Sequence, residues 1–186
     1  MAGLGGNWVI GTQLPNYPIT QLPGEMSTNE IYNFKQVNER VLTGGQPSEA
    51  QLQAAAAEGV RTVINLATIN PRYSLEDEDG SVQGLGMTYV HIPVVWENPQ
   101  REDFAAFEAA MQAAEKEKSL IHCAANYRVT AFVSLYGLKH WGWSAEEVDE
   151  LMAHVWVAGQ YPVWDMFVEG LKEEMGGWGK RLLIRD

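Results

Sequence analysis

The chain has 186 residues, of which 46% are hydrophobic, so it is long enough to bury the core of one domain. Its formal charge of −11 argues against nucleic acids and anionic membranes as partners, because both attract basic surfaces. A single cysteine excludes a disulfide within the chain and a zinc site built from four cysteines, and no apolar run approaches the roughly 18 residues of a membrane span.

The beginning of the chain is rich in Gly, Pro, Asn and Thr and shows no periodic pattern. We interpret residues 1–30 as an arm, residues 31–175 as the domain and residues 176–186 as a C-terminal tail. The arm has no basic start followed by a long apolar stretch, as a secretory signal would. We therefore expect a cytoplasmic protein.

The first elements of the domain are predicted by short local patterns. Residues 31–42 indicate one or two short strands around a polar turn at residues 38–39. Ser48 and Gln51 have the spacing of a capping box, which predicts an alanine-rich helix that ends near Gly59.

A buried strand and a polar loop follow this helix. The β-branched residues of segment 61–66 predict the strand. Residues 67–86 are predicted to form a long polar loop, and their acidic run at residues 76–79 is interpreted as a solvated loop tip, with a metal site as the alternative.

The rest of the domain alternates strands with helices. Strands are predicted over residues 87–92 and 119–122. Four helices are predicted from the spacing of apolar residues, from capping boxes and from glycine stops. The first carries Phe104, Phe107, Met111 and Ala114 on one face, and the others span residues 129–140, 144–157 and 162–174. This alternation predicts an α/β fold in which a mostly parallel central sheet is flanked by helices.

Cys123 lies between a predicted strand and a predicted helix. A tight loop at that position directs backbone N–H groups and the positive end of the helix dipole into one small cup. An anion fits the cup, and the same field stabilises a thiolate at its edge. We expect the backbone N–H groups of Ala124, Ala125, Asn126, Tyr127 and Arg128 to bind phosphate. The Arg128 guanidinium can grip two phosphate oxygens at once.

This segment resembles the signature loop of the protein tyrosine and dual-specificity phosphatases, which has His-Cys, five residues, Arg, and then Ser or Thr. The resemblance to a bacterial branch of these phosphatases extends from residue 31 to about 170, through Leu42-Thr-Gly-Gly-Gln-Pro-Ser-Glu, residues 61–66, residues 89–94 and residues 156–164. It implies a hydrolase with Cys123 as nucleophile, a cysteinyl-phosphate intermediate, and neither metal nor cofactor. The implied substrate is a phosphorylated protein or small molecule; the oligomeric state is left open.

The loop departs from the family pattern, because only four residues separate Cys123 from Arg128. The shorter spacing removes one N–H group from the cup and rotates Arg128 relative to the sulfur. Asn126 replaces the usual glycine, and asparagine tolerates a positive φ. Thr130 keeps the family's spacing from Cys123, so its hydroxyl is a candidate to assist departure of the thiolate.

A phosphatase of this kind also needs a carboxylic acid to protonate the leaving oxygen. In the related enzymes this acid lies on the loop after the strand that corresponds to residues 87–92. Glu97 and Asp103 are the two candidates there. His122 is expected to support the loop by hydrogen bonding rather than to transfer protons.

Two other functions also fit these residues. The shortened loop also suits a regulatory module that binds phosphate without hydrolysing it. Rhodanese-like sulfurtransferases have a cradle of the same length, which carries a persulfide. Trp96, Tyr127 and Trp164 either line a pocket for a flat substrate or belong to the core.

Overall fold

A computed structural model describes residues 27–182 of the chain, with side chains described to residue 176. Its centre is a sheet of five strands in the order β1-β2-β5-β3-β4. The strands are β1 (Lys35–Gln36), β2 (Val41–Gly44), β3 (Val60–Asn65), β4 (Thr88–His91) and β5 (Lys118–His122). Strand β1 pairs antiparallel with β2, and all other neighbours are parallel. Most of the predicted arm, residues 1–26, lies outside the described residues.

Helices connect the parallel strands and cover both faces of the sheet. They are α1 (Glu49–Ala57), α2 (Glu78–Gly84), α3 (Arg101–Ala113), α4 (Tyr127–Tyr136), α5 (Ala145–Met152) and α6 (Pro162–Leu182). A 3₁₀ turn at Thr28–Glu30 precedes the sheet, and a π-helical turn at Gly137–Trp141 extends α4. The predicted α/β fold, with a mostly parallel sheet flanked by helices, is confirmed.

The sheet separates two hydrophobic cores. Leu120 and Ile121 are adjacent in β5 and fully buried, yet they belong to different cores because successive side chains of a strand point to opposite faces. The core that contains Leu120 also includes Leu52 of α1 and Val82 of α2. The larger core on the other face takes the apolar sides of α3 to α6. Burial of each of these aliphatic side chains stabilises the folded state by about 1.5–3 kcal/mol.

The acidic run was predicted to be a solvated loop tip, and this is wrong for Glu78. The segment contains α2, whose N-cap Asp77 accepts a hydrogen bond from the Gly80 N–H at 2.9 Å. Glu78 is the first residue of that helix and only 7% exposed. The run is therefore a helix start with one carboxylate turned inward.

Three predicted helix boundaries also need correction, and the helix predicted over 144–157 is α5, which ends at Met152. Helix α4 begins at Tyr127 rather than near residue 129, so Arg128 lies in its first turn. Helix α6 continues through Gly176 and Gly177 to Leu182, although glycine is a poor helix former. By contrast, both halves of the predicted capping box at Ser48 are present at the start of α1.

Candidate active site

Cys123 follows directly after β5, at the edge of the sheet where the parallel strands end. Open α/β sheets bind their ligands at this edge. The side chain is 1% exposed, and over the described residues the sulfur has no hydrogen-bond partner. Its backbone N–H donates to Gly44 O at 3.3 Å, which ties the start of the loop to β2.

Contacts from the β2 side turn the carbonyl groups of the Cys123 loop, residues 123–128, away from its centre. Ala124 O accepts a hydrogen bond from the Gln46 N–H at 3.2 Å, and Ala125 O accepts one from Asn33 Nδ2 at 3.0 Å. The backbones come so close that a Cβ atom on Gly45 would lie 2.9 Å from Ala124 O. Gly45 of the sequence motif is therefore needed for loop packing, whereas a Cβ atom on Gly44 would lie 2.5 Å from Ile31 Cγ2.

The backbone N–H groups of the loop are left available. Among the residues that the structure describes, none accepts a hydrogen bond from the N–H of Ala124, Ala125, Tyr127 or Arg128. Tyr127 begins α4, so the positive end of the helix dipole lies at the same place. Unpaired N–H groups at a helix start form an anion site.

Asn126 closes the loop in the left-handed conformation, with φ 69°, as its sequence position predicted. Its Nδ2 donates to Asn33 O at 2.6 Å and to Thr43 Oγ1 at 3.1 Å. These two bonds hold the fully buried asparagine where the phosphatase family has glycine, while its Oδ1 has no hydrogen-bond partner among the described residues.

Arg128 extends toward the loop between β4 and α3, residues 92–100, called here the β4–α3 loop. Its Nε–H donates to Val94 O at 2.9 Å, and its guanidinium carbon lies 5.2 Å from the centre of the Trp96 ring. Its two terminal amino groups have no hydrogen-bond partner within the described part of the chain. One edge of the guanidinium is therefore anchored, and its other donors remain available to a ligand.

His122 contacts a buried carboxylate that the sequence did not identify as part of the site. Its Nε2 lies 3.0 Å from Glu78 Oε1, an ion-pair distance with poor hydrogen-bond alignment. Glu78 also accepts hydrogen bonds from Gln46, Asn65 and Tyr89, at 2.9, 2.7 and 3.1 Å. The signal that could have revealed Glu78 is the Asp77–Gly80 helix start.

The environment of Glu78 favours its charged form. Burial acts to raise the pKa of this carboxyl group, but the contacts with His122, Gln46 and Tyr89 outweigh it and lower the pKa below its ordinary value. Glu78 is therefore an anion in contact with His122, the residue that precedes Cys123.

The two candidate acids lie in different environments. Asp103 is the third residue of α3, and its Oδ2 accepts a hydrogen bond from the Gln100 N–H at 2.9 Å as part of a capping box. Glu97 lies in an exposed turn of the β4–α3 loop, and no described residue binds its carboxylate. Asp103 thus already has a structural role, whereas Glu97 remains available for proton transfer.

Thr130 is fully buried beneath the Cys123 loop. Its hydroxyl lies 3.0 Å from both Asn126 O and Tyr127 O, to which it donates, and accepts from Trp156 Nε1 at 2.9 Å. The hydroxyl therefore has structural partners, and its role in thiolate departure stays a prediction.

Aromatic side chains pack around Trp96 in the β4–α3 loop. Its ring centre lies 4.9 Å from that of Tyr161, 5.3 Å from that of Trp164 and 6.0 Å from that of Tyr127. Trp164 is 1% exposed and belongs to the core, while Trp96 and Tyr127 are half-buried.

Comparison with known proteins identifies the family. Residues 10–156 match the family described as "DSP-PTPase phosphatase fused to NAD+ kinase". The chain belongs to this family. A candidate phosphatase (DUF442) from Shewanella putrefaciens CN-32 is 35% identical, and its structure aligns with 79% of this chain and 95% of its own length at a TM-score of 0.73.

More distant relatives of this phosphatase-family chain differ in length or identity. The beta-lactamase hydrolase-like protein of Xylella fastidiosa is 27% identical over 132 residues, which are 69% of this chain and 30% of that protein. This chain thus spans less than a third of that curated relative. Tk-PTP is 20% identical, with 76% of this chain and 97% of its own covered at a TM-score of 0.64, and shares the fold.

Two further findings concern membrane spans and metal sites. Among the helices within residues 27–182, none is long and apolar enough to cross a membrane. Over the same part of the chain, no three His, Cys, Asp or Glu side chains converge to hold a metal ion.

We predict that Glu78 stabilises this phosphatase-family domain at neutral pH and that this stabilisation is lost in acid. Because its pKa is lowered by folding, its contribution is complete above the unfolded pKa of about 4.3 and is lost as pH falls through the folded value. Glu78→Gln should lower the free energy of unfolding by about 1–3 kcal/mol at pH 7, since Gln46, Asn65 and Tyr89 lose a charged hydrogen-bond acceptor. Urea unfolding of both proteins from pH 7 to pH 3 measures this difference.

The exposed Glu76 provides the control, and Glu76→Gln should change stability by less than about 0.5 kcal/mol. The difference in the free energy of unfolding between the native protein and Glu78→Gln should shrink below pH 4. A difference that stays constant with pH would contradict the role assigned to the charge of Glu78.

Proposed function

We propose that the protein hydrolyses phosphomonoesters through a cysteinyl-phosphate intermediate, with Cys123 as nucleophile. The observation that carries the proposal is the Cys123 loop itself. It combines a cysteine directly after β5, four backbone N–H groups that have no acceptor among the described residues, and the first turn of α4. Membership of a phosphatase family supports the same chemistry.

The first step transfers the phosphoryl group to the protein. Backbone N–H groups of Ala124, Ala125, Tyr127 and Arg128, together with the Arg128 guanidinium, hold the phosphate oxygens. The Cys123 thiolate forms the S–P bond as the bond from phosphorus to the ester oxygen breaks. Glu97 gives its proton to that oxygen, so the alcohol leaves neutral.

The second step regenerates the enzyme. Glu97, now a carboxylate, takes a proton from a water molecule, whose oxygen forms a bond to phosphorus as the S–P bond breaks. Inorganic phosphate leaves, and Cys123 returns to the thiolate. The two steps need neither metal nor cofactor, since phosphoryl transfer requires mainly positioning and charge stabilisation.

The proposed substrate class is a phosphorylated protein or small molecule. A TpbA variant from P. aeruginosa was solved with phosphotyrosine and shares the fold at a TM-score of 0.62 and 15% identity, covering 84% of this chain and 99% of its own. By analogy with that relative, we propose a phosphate ester as the ligand of this chain.

Hydrolysis of para-nitrophenyl phosphate in the presence of EDTA tests the proposal. Steady release of nitrophenol that is unaffected by the chelator is the expected result. Activity that disappears with EDTA and returns with a divalent metal would contradict it. Transfer of sulfur from thiosulfate to cyanide, without phosphate release, would instead favour a sulfurtransferase.

Phosphate binding without turnover is the second candidate. It is favoured by Thr130, whose hydroxyl is held by Trp156 and by loop carbonyls rather than by the sulfur. A protein of this kind would be stabilised by inorganic phosphate, seen as a higher Tm, but would release no nitrophenol.

We predict that Glu97, and not Asp103, is the general acid. Glu97→Gln should lower kcat for phenyl phosphate by about 100-fold or more, because phenolate is a poor leaving group without a proton. The loss with para-nitrophenyl phosphate should be much smaller, since nitrophenolate leaves readily. Steady-state kinetics with the two esters measures this contrast.

The neighbouring carboxylates serve as comparisons. Glu102→Gln alters an exposed residue of α3 and should leave both rates unchanged. Asp103→Asn should affect mainly the stability of α3, because Asp103 caps that helix. A leaving-group-dependent loss in Asp103→Asn but not in Glu97→Gln would reverse the assignment.

A further inference from the structure

The β4–α3 loop is attached to the rest of the molecule at two backbone carbonyl groups. Val94 O accepts a hydrogen bond from Arg128 Nε, and Trp96 O accepts one at 2.8 Å from Trp164 Nε1 of helix α6. The two carbonyls are two residues apart. One loop therefore links the phosphate-binding arginine to a side chain of the last helix.

Trp164 is suited to hold this loop in one position. It is 1% exposed, so its N–H has no access to water and depends on Trp96 O as its partner. Its ring packs at 5.3 Å on the Trp96 ring, and at 6.1 and 5.8 Å on those of Phe132 and Phe167 in the core. A buried N–H that loses its acceptor is destabilising, so this bond disfavours other loop positions.

The Trp96 ring connects the position of the β4–α3 loop to Arg128. Its face lies 5.2 Å from the Arg128 guanidinium carbon, a distance typical of cation–π contact. The flanking carbonyl Val94 O fixes Nε of the same guanidinium. A shift of the loop would therefore move both groups that orient Arg128. Glu97 follows Trp96 directly and would move with it.

We propose that Trp164 is a positioning residue of the phosphate site, which acts through the β4–α3 loop on Arg128. This inference rests on the phosphate site proposed above. Trp164 itself touches no phosphate in this scheme. Helix α6 is thereby a functional part of the site rather than only a cover for the core.

Trp164→Phe tests this role because it keeps an aromatic ring in the core and removes the N–H. Binding of inorganic phosphate, measured from the phosphate-dependent rise in Tm, should weaken about three- to tenfold, which corresponds to the loss of one hydrogen bond. The value of kcat/KM for para-nitrophenyl phosphate should fall by a similar factor. The benzothiophene analogue of tryptophan at position 164, which replaces only the N–H, should give the same result if the phenylalanine variant folds poorly.

Two controls separate positioning from general destabilisation. Val168→Ala removes buried methyl groups one turn further along α6, and Trp141→Phe makes the same substitution elsewhere; neither should alter phosphate affinity. Unchanged phosphate affinity in the Trp164 variants, or an equal loss in Val168→Ala, would overturn the proposal. A native protein that binds phosphate without turnover would refute hydrolysis, while the affinity measurement would still decide the role of Trp164.

Discussion

Cys123→Ser should reduce kcat for para-nitrophenyl phosphate by a factor on the order of 10⁴ or more, as expected when the nucleophile of a covalent mechanism is removed. A serine hydroxyl is far less ionised than a thiol in the same place, so it is a much weaker nucleophile. No other cysteine in the chain can replace it. Steady-state kinetics of both proteins measures the effect.

The serine variant should still fold and bind phosphate. Cys123 is 1% exposed with its N–H bonded to Gly44 O, and the substitution leaves that backbone contact intact. A phosphate-dependent rise in Tm should therefore persist in the variant. In the native protein, alkylation of the single cysteine by iodoacetamide should abolish activity in parallel, and phosphate should protect against it. Retained turnover in the serine variant would refute the mechanism.

Arg128→Lys should lower kcat/KM for the same ester by about 100- to 1000-fold although the positive charge is kept. Lysine cannot donate to Val94 O and to two phosphate oxygens in a fixed plane, and its compact charge packs less well over the Trp96 ring. The loss should be larger than that of Trp164→Phe, because it removes the donors that we propose to bind the phosphate.

An exposed arginine provides the matched comparison. Arg101 forms a surface ion pair with Glu174 at the start of α3, and Arg101→Lys should change kcat/KM less than twofold. Equal effects of the two substitutions, or an Arg128→Lys protein with native kinetics, would show that Arg128 does not bind the phosphate. Phosphate affinity measured on the same proteins links the kinetic loss to the site.

Local chemistry made several features predictable from the sequence. A capping box needs only residues three apart, so Ser48 and Gln51 predicted the start of α1 correctly. A positive φ depends on the residue itself, and Asn126 adopts it. The strand–cysteine–helix order, together with the glycine-rich motif before α1, was enough to indicate the family.

Features that depend on the surroundings of a residue were not predictable in the same way. The acidic run offered four similar carboxylates, and the Asp77–Gly80 spacing marks a helix start there without showing that Glu78 becomes buried. Its burial arises because α2 packs beside β4 and directs this one side chain toward His122. Likewise, Gly176 and Gly177 predicted a helix end, yet α6 continues past both glycines, and the described residues show no contact that explains it.

By itself, the sequence determined the elements whose signals lie within a few residues: the parallel sheet, the Cys123 loop and the family to which they belong. Only the tertiary structure decided which distant groups serve that loop, since Arg128 and Val94 are 34 residues apart, and Trp164 and Trp96 are 68 apart. The type of a residue determines which hydrogen bonds it can form, but tertiary packing determines its partner. A buried donor cannot exchange that partner for water, because a buried donor without an acceptor is destabilising.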